Sequence, residues 1–242
     1  MARNQPPTAL SIAGSDSGGG AGIQADLKAF ARVGVHGMTA ITAITAQNTV
    51  GVEAIEPVSG EMLLAQIAAV AGDIGIDAVK VGMVGSAEAI EGVVAALALI
   101  VNNDPPVVVD PVMVSESGAV LLDPAAQETL RVRLLPMATV VTPNIPEARK
   151  LTGLGTEASQ VELAKAVQGL GPKIAIVTGG HSEELVDLFF DGKQVVEIPG
   201  ERHPDGAAHG SGCTHSSALA AYLARGEEPL EAARKARMVA SE

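Results

Sequence analysis

The 242-residue sequence has no tryptophan, one tyrosine and three phenylalanines, so aromatics are only 2% of it. A core of any size must be built from Ala, Val, Leu and Ile, which suits helices packed on a parallel sheet. One cysteine, Cys213, excludes an intrachain disulfide and fits a reducing compartment. Positive charge is scarce: 16 Lys and Arg stand against 28 Asp and Glu, a net charge of −12. That excludes the basic patch a nucleic-acid partner requires. It does not exclude an anionic small molecule, because helix N-termini bind phosphate through backbone N–H groups. The most apolar run, residues 93–101, falls far short of the ~20 residues that span a bilayer. Residues 1–8 lack the apolar stretch of a signal peptide. A cytoplasmic protein with no membrane and no nucleic-acid partner is expected.

What is present is an alternation of short apolar runs with amphipathic stretches. Strands are predicted at residues 9–13, 38–45, 78–81, 107–110, 139–142, 174–177, 185–190 and 195–198. Helices are predicted at residues 22–33, 60–73, 87–101, 124–134, 145–151, 160–170, 213–225 and 229–239. Most of the strands are continuous apolar runs, as in a sheet covered on both faces. The β-then-α order predicts a doubly wound α/β sheet, and Asp191-Gly192 predicts a late antiparallel hairpin. With no repeat and no linker, residues 1–242 read as a single domain.

Polar residues concentrate at the predicted strand ends, where α/β sheets bind ligands. The loop 13–22 carries five glycines with Ser15, Asp16 and Ser17, and reads as a ligand-contacting turn. It lacks the Gly-Lys-Ser/Thr of a phosphate loop, and Gln47-Asn48 replaces the acidic residue of a dinucleotide fold. On the following helix, Gln24, Lys28 and Arg32 form the expected solvated face, and Ile23, Leu27 and Phe30 the buried one. Asp26 lies beside the buried face, so it needs a partner, for which a ligand is favoured. Gln47 offers one acceptor and two donors, which suits a heterocycle. Asp110 ends a strand as a candidate for holding metal or phosphate. Asn144, Pro146 and Glu147 fit an N-capping box as well as a Mg²⁺ site, and the sequence leaves both open. Gly210-Ser211-Gly212-Cys213 opens a helix and forms an anion site, where the helix dipole favours a Cys213 thiolate as base or nucleophile.

Taken in order, the segments 13–22, 24–28, 45–49, 81–83, 110–113, 142–147 and 210–214 resemble the hydroxymethylpyrimidine and phosphomethylpyrimidine kinases. The resemblance implies a ribokinase-like fold, three α/β/α layers around a mainly parallel sheet, in a homodimer. It implies MgATP-dependent phosphorylation of 4-amino-5-hydroxymethyl-2-methylpyrimidine and of its monophosphate in thiamine biosynthesis. It places Gln47, Asp26, Gly14, Met83 and Val112 at the pyrimidine, and Asp110, Asn144, Thr178 and Gly180 at ATP. Glu147 and Asp110 would hold Mg²⁺. Gly210, Ser211 and Gly212 would form the anion hole, and Cys213 would take the proton of the substrate hydroxyl. The sequence departs from the family at Glu116 and Thr178, where lysine is frequent, and at His215, where leucine is commoner. A further helix beyond Met238 is expected of the family. Pyridoxal kinase activity, or pyrimidine binding with little catalysis, remain the alternative readings.

Overall fold

The structure, a computed structural model, describes residues 5–100, 104–114, 121–179, 185–200 and 210–241. Among the described residues the strands are β1 (Thr8–Asp16), β2 (His36–Gln47), β3 (Val52–Pro57), β4 (Ala78–Val81), β5 (Val107–Val109), β6 (Val140–Val141), β7 (Ile174–Val177), β8 (Val186–Phe190) and β9 (Val195–Pro199). They form one sheet in the order β3-β2-β1-β4-β5-β6-β7-β8-β9. Neighbours from β2 to β7 pair in parallel; β3 at one edge and β8 and β9 at the other are antiparallel. The late hairpin is therefore present.

The helices are α1 (Gly22–Val33), α2 (Gly60–Asp73), α3 (Ala87–Leu99), α4 (Pro124–Thr129), α5 (Ile145–Thr152), α6 (Gln160–Gln168), α7 (Ser211–Ala224) and α8 (Pro229–Ser241). Alternate residues of the central strands feed two cores. Leu10, Ile12, Val79 and Val81 face α2 to α6, whereas Ala9, Val108, Val140 and Ile176 face α1, α7 and α8. Buried alanines, among them Ala218, Ala221, Ala232 and Ala236, line the second core and let α7 and α8 pack closely without aromatics.

Three elements differ from expectation. Strand β3 is exposed along nearly its whole length, so no burial pattern marks it in the sequence. The helix predicted at 124–134 is α-helical only through Thr129, continues as a π-helical turn over Leu130–Leu134, and ends in a 3₁₀ turn over Leu135–Met137, where Pro136 removes a backbone donor. Helix α7 starts two residues early, at Ser211, which puts Cys213 third in its first turn.

Phe30, fully enclosed between α1 and the sheet, is one of the few large side chains in this aromatic-poor core. Phe30→Ala should destabilise the fold by about 3–5 kcal/mol, measured by denaturant unfolding.

Candidate active site

The chain steps from β1 outward to β2, then resumes at β4 on the other side of β1, so the switch point, where α/β sheets place a ligand crevice, lies at the carboxyl ends of β1 and β4. Two of the residues predicted for the pyrimidine, Gly14 and Met83, meet there. A Cβ on Gly14 would sit 2.6 Å from Met83 Cε, so these two residues are in contact. The Thr42 hydroxyl donates to the Met83 carbonyl at 2.7 Å. Gln47, at the end of β2, is held through its backbone: its N–H donates to Ser17 Oγ at 2.8 Å, and that hydroxyl donates back to the Gln47 carbonyl at 2.7 Å. Val112 turns back on Asp110, its N–H donating to the Asp110 carbonyl at 2.8 Å. Further along the edge, Asn144 and Thr178 lie side by side through a parallel bridge. Gly180 and Glu116 lie outside the described residues.

The glycine loop is organised by Asp16, which the sequence reading grouped with Ser15 and Ser17 as a polar residue of a ligand-contacting turn. Its Oδ1 accepts the Gly18 N–H at 2.8 Å, and its Oδ2 accepts those of Gly20 and Ala21 at 2.9 and 2.8 Å. These N–H groups close on the loop's own carboxylate and not on a ligand. Gln24 proves not to be solvated: it is half-buried, accepts the Asp16 N–H at 2.9 Å and donates to Ser15 Oγ at 2.8 Å. Leu27, expected inside, is exposed, because α1 turns its Asp26 edge into the protein.

Asp26 is the larger correction. It is fully buried, and its partners are protein groups. Lys80 Nζ and Ser217 Oγ donate to Oδ1 at 2.8 and 2.6 Å, and Ser11 Oγ donates to Oδ2 at 2.5 Å. This carboxylate is enclosed behind the crevice and does not line it. Lys80, also fully buried, was missed altogether. The signal was available: a lysine inside the apolar strand 78–81 needs a buried anion, and Asp26 needed a buried cation. The neighbour of Ser217, Ser216, donates to Asp110 Oδ2 at 2.9 Å. Two consecutive serines thus dock α7 onto two buried carboxylates, and the start of α7 is fixed over the strand ends.

That start has the geometry of an anion site. Gly210 caps α7 with φ of 79°, and a Cβ there would collide with the Gly20 carbonyl. Helix geometry leaves the N–H groups of Ser211, Gly212 and Cys213 without intrahelical carbonyls. The expected thiolate is not the resting form, however. Burial pushes the Cys213 thiol up to about 11, with Asp26 and Asp110 adding to the rise and Lys80 opposing it. Desolvation outweighs the helix dipole.

Both readings of Glu147 meet in one geometry. The capping box is complete: Asn144 Oδ1 accepts the Glu147 N–H at 2.8 Å, and Glu147 Oε2 accepts the Asn144 N–H at 3.0 Å. Glu147 Oε1 also accepts the Met113 N–H at 3.4 Å, which ties it to the segment after β5. Burial, then repulsion from Asp110, raises its carboxyl to about 8. Burial likewise raises Asp110, against Lys80 and the Ser216 hydroxyl. Two buried, mutually repelling carboxylates form an oxygen donor set that suits Mg²⁺, which takes few protein ligands. Among the described residues no cluster of three or more metal-ligating side chains occurs. Beyond this edge, His215 packs against Asp187 at 3.5 Å, and Asp187 Oδ1 accepts the Gly179 N–H at 2.9 Å beside Thr178. Burial lowers the His215 pKa, in keeping with a structural side chain. A separate cleft of about 190 Å³, lined by Gly19, Lys28, Arg32 and Thr214 among others, lies behind the glycine loop and contains none of the residues predicted for the site.

A family model of phosphomethylpyrimidine kinase matches residues 16–242. A hydroxymethylpyrimidine/phosphomethylpyrimidine kinase of Rhizobium meliloti is 50% identical over 229 residues, covering 93% of this chain and 85% of that protein. The crystal structure of phosphomethylpyrimidine kinase from Clostridium difficile has a TM-score of 0.83 and 43% identity, covering 95% of this chain and 96% of that one. The ADP complex of a Bacillus subtilis pyridoxal kinase has a TM-score of 0.87 and 38% identity, covering 96% and 89%. With the sheet order, this likeness bears out the ribokinase-like, three-layer fold.

The raised Glu147 pKa carries a prediction for stability. The folded state keeps this proton from about pH 4.5, the ordinary value, up to about pH 8. Across that window the unfolded chain binds fewer protons, so the contribution falls as pH rises, by on the order of a few kcal/mol. Glu147→Gln cannot titrate. In chelator, its Tm relative to the parent protein should rise between pH 5 and pH 8.5; a constant difference would contradict the assignment.

Proposed function

The chain belongs to the phosphomethylpyrimidine kinase family, and on that premise we propose that it transfers the γ-phosphoryl group of ATP to the hydroxymethyl oxygen of 4-amino-5-hydroxymethyl-2-methylpyrimidine, then to the monophosphate, in thiamine biosynthesis. The observation that carries this reading is the packing of the α7 start, with Cys213 and the N–H groups of its first turn, against the glycine loop, where a Cβ on Gly210 would collide with the Gly20 carbonyl. Gln47 binds the heterocycle through its amide, Met83 and Gly14 form an apolar wall, and Val112 closes it. Asn144 and Thr178 face the nucleotide, with Gly180 following. Asp26 is left out of the wall, because its oxygens are already taken.

In the transfer, the substrate oxygen forms a bond to the γ-phosphorus as the bond from that phosphorus to the β-phosphate oxygen breaks, and ADP leaves. The hydroxyl proton passes to Cys213 Sγ. The N–H groups of Ser211, Gly212 and Cys213 donate to the phosphoryl oxygens as their charge spreads. Asp110 and Glu147 would hold Mg²⁺, whose charge would offset that of the phosphates. Because the thiol rests at about 11, the reacting thiolate is a minor species at pH 7, about one part in 10⁴. Turnover limited by chemistry therefore rises with pH across the neutral and mildly alkaline range.

The reading includes a homodimer, for which Ile44, Val50 and Ile55 on the exposed β2–β3 ribbon offer apolar surface. A reducing, cytoplasmic setting suits the single cysteine. Among the described residues no helix is long and apolar enough to cross a membrane. A pyridoxal kinase is the competing reading, favoured by the backbone likeness noted above, although identity is higher to the pyrimidine kinases.

Steady-state kinetics with both rings tests the choice: kcat/KM should favour hydroxymethylpyrimidine, and a preference for pyridoxal would overturn it. Binding of hydroxymethylpyrimidine without phosphorylation at saturating MgATP would make the protein a binder and not a kinase. Cys213→Ala should lower kcat by about 10²-fold or more, with pyrimidine affinity nearly unchanged by calorimetry. Gln47→Ala should chiefly raise KM for the pyrimidine.

A further inference from the structure

Lys80 has no role in the transfer described above, yet it is placed as if it had one. It is completely buried on the face of β4 that meets α1 and α7, beside a core of Ala, Val, Leu, Ile and Phe. A buried ion pair does not need to be kept for stability, since well-packed apolar side chains of similar volume often serve as well or better. The pair is also directed. A Cβ on Gly82 would lie 2.7 Å from Lys80 Nζ, so the ammonium has run along the strand past Val81 toward the carboxyl edge, into space left by Gly82. Among the described residues only one of its three donors has a hydrogen-bond partner, Asp26. Ser217 of α7 donates to the same Asp26 oxygen as Lys80, and Cys213 lies one turn before Ser217 on that helix, so the ammonium sits against the face of α7 that carries Cys213.

We propose that Lys80 is a positioning residue for phosphoryl transfer: a fixed buried positive charge, pinned by Asp26, that stabilises the Cys213 thiolate at the start of α7. The charged groups acting on Cys213 are Lys80 from β4, Asp26 from α1 and Asp110 beyond β5, and the Gly22 N–H adds a hydrogen bond. Lys80 is the one cation among them, and with the Gly22 N–H it opposes burial and the two carboxylates. Asp26 fixes where that charge sits, and Ser11 and Ser217 fix Asp26. The inference rests on Cys213 acting as the base, and the test separates the two ideas.

Because Cys213 is the only cysteine, the pH dependence of its alkylation by iodoacetamide reports its ionisation without reference to turnover. Lys80→Met alone strands a buried carboxylate and destabilises the fold. The informative comparison is therefore the parent protein against Asp26→Asn with Lys80→Met, which leaves neither an unpaired anion at position 26 nor an unpaired cation at position 80, and in which the loss of Lys80 outweighs the loss of Asp26 at the thiol. The alkylation midpoint should be higher in the double variant by about one pH unit. Its kcat should be lower by about tenfold at pH 8, with both KM values changed less than threefold. The rising limb of its kcat–pH profile should move upward with the alkylation midpoint. Identical midpoints in the parent protein and the double variant would overturn the proposal. A shifted midpoint with an unshifted kcat limb would keep the hold of Lys80 on the thiol but remove Cys213 as the base.

Discussion

The buried contact between Lys80 and Asp26 sets the terms for everything around it. An ammonium and a carboxylate taken out of water must be paired and their remaining capacity filled, or the fold does not tolerate them. Filling it brings four elements to one point: Ser11 of β1, Asp26 of α1, Lys80 of β4 and Ser217 of α7. Helix α7 follows β7 by a long stretch of sequence, yet it is held over the first strand because Ser216 and Ser217 answer Asp110 and Asp26. The anion-binding end of α7 consequently lies at the switch point between β1 and β4 and not elsewhere along the sheet edge.

The site built on that contact concentrates buried charge. Asp26, Asp110 and Glu147 are all enclosed, and Lys80 is enclosed with them. The balance is unfavourable to negative charge, which is why Glu147, Asp110 and Cys213 all hold their protons more tightly than in water. A site that resists negative charge when empty is suited to cations brought with its substrate. In the proposed transfer, the backbone N–H groups at the start of α7 would meet the phosphoryl group without any net positive surface, consistent with a chain carrying a charge of −12.

The layered architecture was legible in the sequence because parallel strands covered on both faces are continuous apolar runs, and residues 78–81, 107–110 and 174–177 are plain examples. Strand β3 was not, because an exposed antiparallel edge with Glu53 and Glu56 carries no burial signal. The strand-end residues Gln47, Asp110 and Asn144 were found by their position after apolar runs. What the sequence hid was pairing. Asp26 was recognised as costly and given to a ligand, whereas its partner was Lys80, 54 positions away. Asp16 looked like one more polar residue of a loop, and only three converging N–H groups reveal it as the loop's centre. The protonation of Cys213 was misread because helix position is visible in sequence and desolvation is not.

Phosphorus NMR of the protein with hydroxymethylpyrimidine and excess MgATP tests most directly whether this edge hands a phosphoryl group to the pyrimidine. A phosphate monoester resonance should appear first and give way to diphosphate resonances, with ADP accumulating in step. ADP released as free phosphate builds up, with no pyrimidine ester, would contradict the assignment of the crevice as a pyrimidine site.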